Sequence, residues 1–203
     1  FFDKLIQAKG KAGAFCEVAK SEKYNICKNW LKKCSRTKVD WDIITENKKH
    51  FEYKGISIYH VMEELNSQNY DECNFVADAG SISYVAPTAL RYTHTRNFIF
   101  SPAQADMGCA LPSSLGVAAK SAQRTICITG DGSLMSNLQE LANLAYHGFH
   151  LTVIVLNNGG YLSITNTQRN NYGENRVFGE HEGRGLTFPD YKKLCEAFSL
   201  KFA

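Results

Sequence analysis

Apolar residues in the second half of the chain follow two alternating periods. Arg124 to Thr129 (RTICIT) and Leu151 to Leu156 (LTVIVL) are short β-branched runs of strand length. Between them, Leu134 to His147 repeats at helical spacing and puts Leu134, Leu138, Leu141, Ala142 and Ala145 on one stripe that can lie on a sheet. At about 1.5 Å per helical residue and about 3.3 Å per strand residue, the three pieces match in length. They predict a right-handed βαβ unit whose parallel strands end on the same edge. Asp131, just past the first strand, and Asn158, just past the second, are therefore expected side by side, where open α/β sheets bind ligands.

Upstream, Ile56 to Gln68 (ISIYHVMEELNSQ) reads as an amphipathic helix, and Cys73 to Ala77 and Asn97 to Phe100 as strands. Ala105 to Lys120 reads as a loop and a small-residue helix, Pro189 to Phe198 as a further helix, and Leu200 to Ala203 as the start of another strand. The fold class is α/β, a doubly wound, mostly parallel sheet with helices on both faces. Before it, Cys16 to Lys33 is the best helix of a lysine-rich stretch, with Val18, Ile26, Trp30 and Leu31 toward a neighbour, and Asp40 to Tyr53 reads as a polar linker. Residues 1–53 are thus assigned to a preceding domain and linker, and 54–203 to the main domain. The absence of an initiator Met and the ending inside a strand pattern are expected of a piece of a longer protein.

Composition narrows the function classes. A hydrophobic content of 44% supports a real core, and a net charge of +3 is too small to indicate a nucleic-acid or membrane partner. The 7 cysteines form no C-x-x-C, and Cys127 falls inside a strand, so free thiols in a reducing compartment are expected. With no signal peptide and no apolar run of bilayer length, the expectation is a cytoplasmic enzyme.

The strand-end chemistry follows from what it has and lacks. Gly130 to Gly160 contains no Lys or Arg, which excludes a phosphate loop built on lysine. It offers the Asp131 carboxylate and the Asn158 amide oxygen, hard donors that with a main-chain carbonyl suit Mg²⁺ or Ca²⁺. Gly132 and Ser133 stand at a helix N-terminus, which favours an anion. A metal-held diphosphate fits; a helix-capping Asp in an ordinary βαβ unit and a Mg²⁺-dependent phosphohydrolase are the alternatives.

Gly130-Asp131-Gly132 with Asn157-Asn158 at this interval resembles the cofactor signature of thiamine diphosphate enzymes. The resemblance implies that Asp131, Asn158 and the Gly160 carbonyl bind the metal, with Tyr161 beside the cofactor. Met107-Gly108-x-x-Leu111-Pro112-x-x-x-Gly116 is similar to a segment of the acetolactate synthase group. It implies that Met107 props the cofactor in its bent form, while the Ala105 carbonyl, at a position where many relatives have Gly, and the Met107 N–H meet the pyrimidine. Gly80 and Ser81, after the strand Cys73 to Ala77, are implied diphosphate contacts, with Ser83 a weaker one; acetolactate synthases commonly carry Gln-His where this chain has Ser81-Ile82.

Tyr161 to Leu186 reads as a mobile segment over the cofactor, with Gln168, Arg169, His181 and Arg184 as candidate substrate contacts. Asn166 and Thr167 stand where the group tends to carry Gln-Trp, which implies a different or roomier acceptor. The resemblance also implies decarboxylation of a 2-oxo acid such as pyruvate with carboligation, or simple decarboxylation, or cofactor binding without catalysis. An activating glutamate is implied from the pyrimidine-binding domain of a second subunit in a homodimer or homotetramer, and FAD is possible in a domain outside this chain. Residues 1–53 would then be the tail of the middle domain.

Overall fold

In the computed structural model, which describes residues 28–47, 54–68, 72–91, 97–179 and 181–203, four parallel strands form one sheet. They are β1 (Cys73–Ala77), β2 (Asn97–Ile99), β3 (Arg124–Gly130) and β4 (Leu151–Leu156), in the order β2-β1-β3-β4. The chain runs from β1 outward to β2, then returns to β3 and runs outward to β4. The direction of winding therefore reverses between β1 and β3, which is where doubly wound sheets open a crevice. Register pairs Val76 with Cys127 and Cys127 with Val153.

The helices of this sheet unit are α3 (Ile58–Ser67), α4 (Ser81–Ala89), α5 (Ala110–Lys120), α6 (Asp131–Ser136), α7 (Glu140–His147), α8 (Leu162–Tyr172) and α9 (Tyr191–Ala197). Val76, Cys127, Val153 and Val155 share one face with Leu111 and Leu115 of α5, Leu134 of α6, and Leu141 and Leu144 of α7. Phe75, Ile126 and Ile128 alternate to the opposite face and are fully buried. There α4 packs on β1 and α3 on α4, contributing the buried Met62, Leu65, Ile82 and Ala86. Burial pushes the Cys127 thiol up to about 12, so it behaves as a small apolar side chain.

The chain divides after Glu46 into two compact units. In the first, α1 (Lys28–Asp40) is followed by α2 (Ile43–Glu46), a helical turn where a polar linker is expected. The Asp42 carboxylate starts that turn by accepting from the Thr45 N–H and hydroxyl. Trp30 and Leu31, expected against a neighbour, are exposed; Val18 and Ile26 of the expected helix lie outside the described residues. Among the described residues no helix is long and apolar enough to cross a membrane.

The strands form at their expected places, and helix starts are set by their caps. Ser57 and His60 exchange reciprocal bonds, so α3 begins at Ile58 rather than Ile56. Asp190 accepts from Lys192 and Lys193, so α9 begins at Tyr191. The helix expected over Leu134 to His147 is instead two helices, α6 and α7, separated at Asn137. Tertiary bonding explains the break: the Asn137 amide donates to the Gly108 carbonyl at 2.7 Å, and three-residue bonds replace helical ones through this turn. The buried stripe consequently passes through Leu141 and Leu144, while Ala142 is exposed. Leu200 to Ala203 forms no strand, and Leu200 packs against the core instead.

The tie between β1, β3 and the loop before α5 is Asp78, a buried carboxylate at the end of β1. Oδ1 accepts from the N–H groups of Ala79 and Gly108 at 2.9 and 2.8 Å; Oδ2 accepts from the Ala110 N–H at 3.3 Å and the Thr129 hydroxyl at 2.9 Å. At Gly108 a Cβ would lie 2.6 Å from the Ser136 Cβ, and φ is +80°, so this close crossing of loop and helix requires glycine. Ala105, in the same loop, sits in the left-handed region at φ +53°. Two outcomes follow. Asp78→Asn turns an acceptor into a donor facing donors, and should lower the unfolding free energy by about 3 kcal/mol in urea titrations. Ala105→Gly should raise it by about 1 kcal/mol, measured the same way.

Candidate active site

A cavity of about 290 Å³ opens at the carboxyl edge of the sheet, at the switch point between β1 and β3. Every residue anticipated for the cofactor or metal except Ser83 lies in its lining: Gly80 and Ser81 after β1, Ala105 and Met107 after β2, Asp131 to Ser133 after β3, and Asn158, Gly160 and Tyr161 after β4. The parallel topology is the cause. All four strands point to this edge, so four segments far apart in sequence converge there.

Asp131 organises the β3 and β4 ends. Only 1% of it is exposed, and Oδ2 accepts three consecutive N–H groups, from Asn158 at 3.0 Å, Gly159 at 2.6 Å and Gly160 at 3.0 Å. Oδ1 accepts only the Gly132 N–H, at 2.7 Å. Neither a Lys nor an Arg lines the cavity, so main-chain dipoles alone offset this buried charge. The Asn158 side chain is exposed and makes no hydrogen bond among the described residues.

A divalent cation fits this donor set. Asp131 Oδ1 keeps acceptor capacity beyond its one N–H, the Asn158 amide oxygen is available, and the buried carboxylate has no positive side chain beside it. Among the described residues no group of three or more His, Cys, Asp or Glu side chains could hold a metal, so a site here depends on amide and carbonyl oxygens as well. An extended anion also has room. Gly80 holds φ +86°, and nothing lies within 4 Å of where its Cβ would be. Gly132 is constrained differently: a Cβ there would meet the Tyr161 ring at 2.2 Å, so the ring lies directly over the α6 corner. Met107 is 44% exposed and presents its side chain to the cavity rather than to the core.

Other candidates are committed elsewhere. The Ser83 hydroxyl donates to the Gly80 carbonyl at 2.8 Å, as a turn-capping residue does. Gln168 accepts the Phe178 N–H, Arg169 pairs with Glu174, Arg184 donates to two main-chain carbonyls, and His181 pairs with Gly160 in an antiparallel bridge. None of these four lines the cavity, nor do Asn166 and Thr167, both on α8, a helix where a mobile loop is expected. Sequence reasoning passed over Asp78, which fixes the Met107-Gly108 loop to the sheet; its signal is a lone acid at the end of an otherwise apolar strand. It also passed over Tyr191. That phenol oxygen is buried without a hydrogen-bond partner among the described residues, and burial, followed by the charges of Asp131 and Glu182, pushes it up to about 12.

Comparison with known proteins agrees with this geometry. Residues 78–203 match the family model described as thiamine pyrophosphate enzyme, C-terminal TPP binding domain. The acetolactate synthase isozyme 2 large subunit of Escherichia coli (strain K12) is 27% identical over 85% of this chain and 30% of its own length. The acetolactate synthase large subunit of Porphyra purpurea is 25% identical over 85% of this chain and 28% of its own. That of Pyropia yezoensis is 30% identical over 63% of this chain and 21% of its own. The chain thus spans under a third of the length of these curated relatives. It belongs to the thiamine pyrophosphate enzyme family, in which it carries the C-terminal domain that binds the cofactor.

Proposed function

We propose that the intact protein is a thiamine diphosphate- and Mg²⁺-dependent enzyme that decarboxylates a 2-oxo acid such as pyruvate and joins the product to an acceptor carbonyl. The observation that carries this reading is the Asp131 carboxylate, buried at the switch point and bonded to three successive N–H groups of the Asn158 loop. The names of the similar proteins, acetolactate synthases, support the carboligase form. When bound, the cofactor supplies the carbanion chemistry that splits carbon dioxide from the 2-oxo acid.

The residues of this chain anchor and shape. Asp131, the Asn158 amide oxygen and the Gly160 carbonyl would hold the cation. Gly80, Ser81, Gly132, Ser133 and Tyr161 enclose the diphosphate. Met107 would support the cofactor from below, and the Ala105 carbonyl and Met107 N–H would meet its pyrimidine. Residues 1–53 belong to a preceding domain, and the activating glutamate comes from a second subunit. On α8, Leu162, Ser163 and Ile164 line the cavity, and the small Thr167, outside that lining, donates its hydroxyl to the Ser163 carbonyl. An acceptor larger than a second pyruvate suits this lining.

Calorimetry on the intact protein provides the direct test. Wild type should bind thiamine diphosphate only with Mg²⁺ present, and Asp131→Ala should weaken that binding at least about 100-fold; Mg²⁺-independent binding by wild type would sink the reading. Supplied with pyruvate and candidate acceptors, the enzyme should yield a product with a new carbon–carbon bond, identified by mass. Gly132→Ala should lower both the melting temperature and the affinity for the cofactor, because the Tyr161 ring must move. Adding Tyr161→Ala should restore the melting temperature.

A further inference from the structure

The loop that holds Asp131 is gripped from its other side as well. The Gly159 carbonyl accepts the Glu182 N–H at 2.7 Å, and Gly160 pairs with His181 in an antiparallel bridge. Its N–H groups thus face Asp131 while its carbonyl side is stitched to residues 181–182. That partner strip has little core of its own, since Glu182, Gly183 and Gly185 are exposed. Its position is therefore set by hydrogen bonds rather than by apolar packing.

One guanidinium supplies two of them. Arg184 Nη1 donates to the Glu174 carbonyl at 2.7 Å and to the Val177 carbonyl at 3.0 Å, while Nη2 lies 3.9 Å from the Glu174 carboxylate. The main chain of Arg184 adds an N–H to the His181 carbonyl at 3.1 Å, and its carbonyl accepts from Gly179. Val177 is 2% exposed, so this end of the staple rests on a fixed point. Glu174 in turn is held by Arg169 of α8, a pairing that keeps its carboxyl below the usual range, and Gln168 of α8 accepts the Phe178 N–H.

We infer that Arg184 is a positioning residue for the cation-binding loop: through the strip at 181–182 it fixes the Gly159 and Gly160 main chain, and hence the Gly160 carbonyl and the Asn158 amide, without touching cation or cofactor. This role rests on the proposed function, in which that loop binds Mg²⁺ and the diphosphate. Arginine suits it because two carbonyls meet one arm of a planar fork and a carboxylate lies by the other, a span that a lysine ammonium cannot cover.

The test is titration of the intact protein with Mg²⁺ and thiamine diphosphate, alongside turnover at saturating cofactor. Arg184→Ala should weaken Mg²⁺-dependent cofactor binding about 10-fold, the scale typical of residues that orient metal ligands. Turnover at saturating cofactor should stay within about 2-fold. Arg184→Lys should fall between wild type and Arg184→Ala, and serves as the measurement if the alanine protein does not fold. Wild-type affinity in a folded Arg184→Ala or Arg184→Lys protein overturns the inference while leaving the proposed function intact. A parent protein that binds neither ion nor cofactor overturns both.

Discussion

A carboxylate taken out of water must find donors, and this sheet edge depends on two that do. Asp78 and Asp131 end β1 and β3, the strands either side of the winding reversal, and each accepts four hydrogen bonds. The donors come mostly from the main chain of segments that follow other strands. Burial makes these bonds obligatory, because an unmet charge in a low-dielectric interior is far costlier than a neutral polar group. The loops are held in place for that reason. Asp78 draws the Met107-Gly108 loop onto the sheet, Asp131 draws in the Asn158 loop, and the cavity is the space left between them.

The two anchors differ in what they leave over. Asp78 is enclosed on both oxygens by the protein's own donors, including the Thr129 hydroxyl from the neighbouring strand. Its work is structural, and it also raises the Cys109 thiol, after burial and ahead of Asp106, so that this cysteine stays protonated and unreactive at neutral pH. Asp131 divides its bonds unequally, three to one oxygen and one to the other. Both Asp131 and Asn158 line the cavity. The two carboxylates receive equal numbers of donors and differ in how the donors divide between the oxygens; under the proposed function only Asp131 would bind a cation.

Much of this was legible in the sequence because it follows from period and topology. The strand runs, the strand-to-helix corners and the meeting of Asp131 with Asn158 need only alternating apolar residues and a parallel crossover. What was not legible depends on contacts between distant residues. The break at Asn137 comes from its bond to Gly108, which no local pattern encodes. The exposure of Ala142 follows from that break, since the two short helices no longer share one stripe. Helix α8 was missed for another reason: it lacks an apolar period, and Thr165, Thr167 and Asn171 satisfy themselves on carbonyls four residues back. Asp78 was passed over because one acid at a strand end reads as a cap until its partners from other segments are seen.

The cavity's charge has a consequence for the order in which the site fills. Among the described residues Asp131 is the only charged one that lines the cavity, so this edge is net negative and repels a polyphosphate that arrives alone. Nucleotide sites built on a lysine-bearing loop have the opposite bias and capture the anion directly. Under the proposed function the cation would therefore bind first, or reach the site already complexed to the diphosphate. On that reading, cofactor capture by this edge would be gated by the concentration of divalent metal, and an excess of free diphosphate would slow loading by stripping metal from the site.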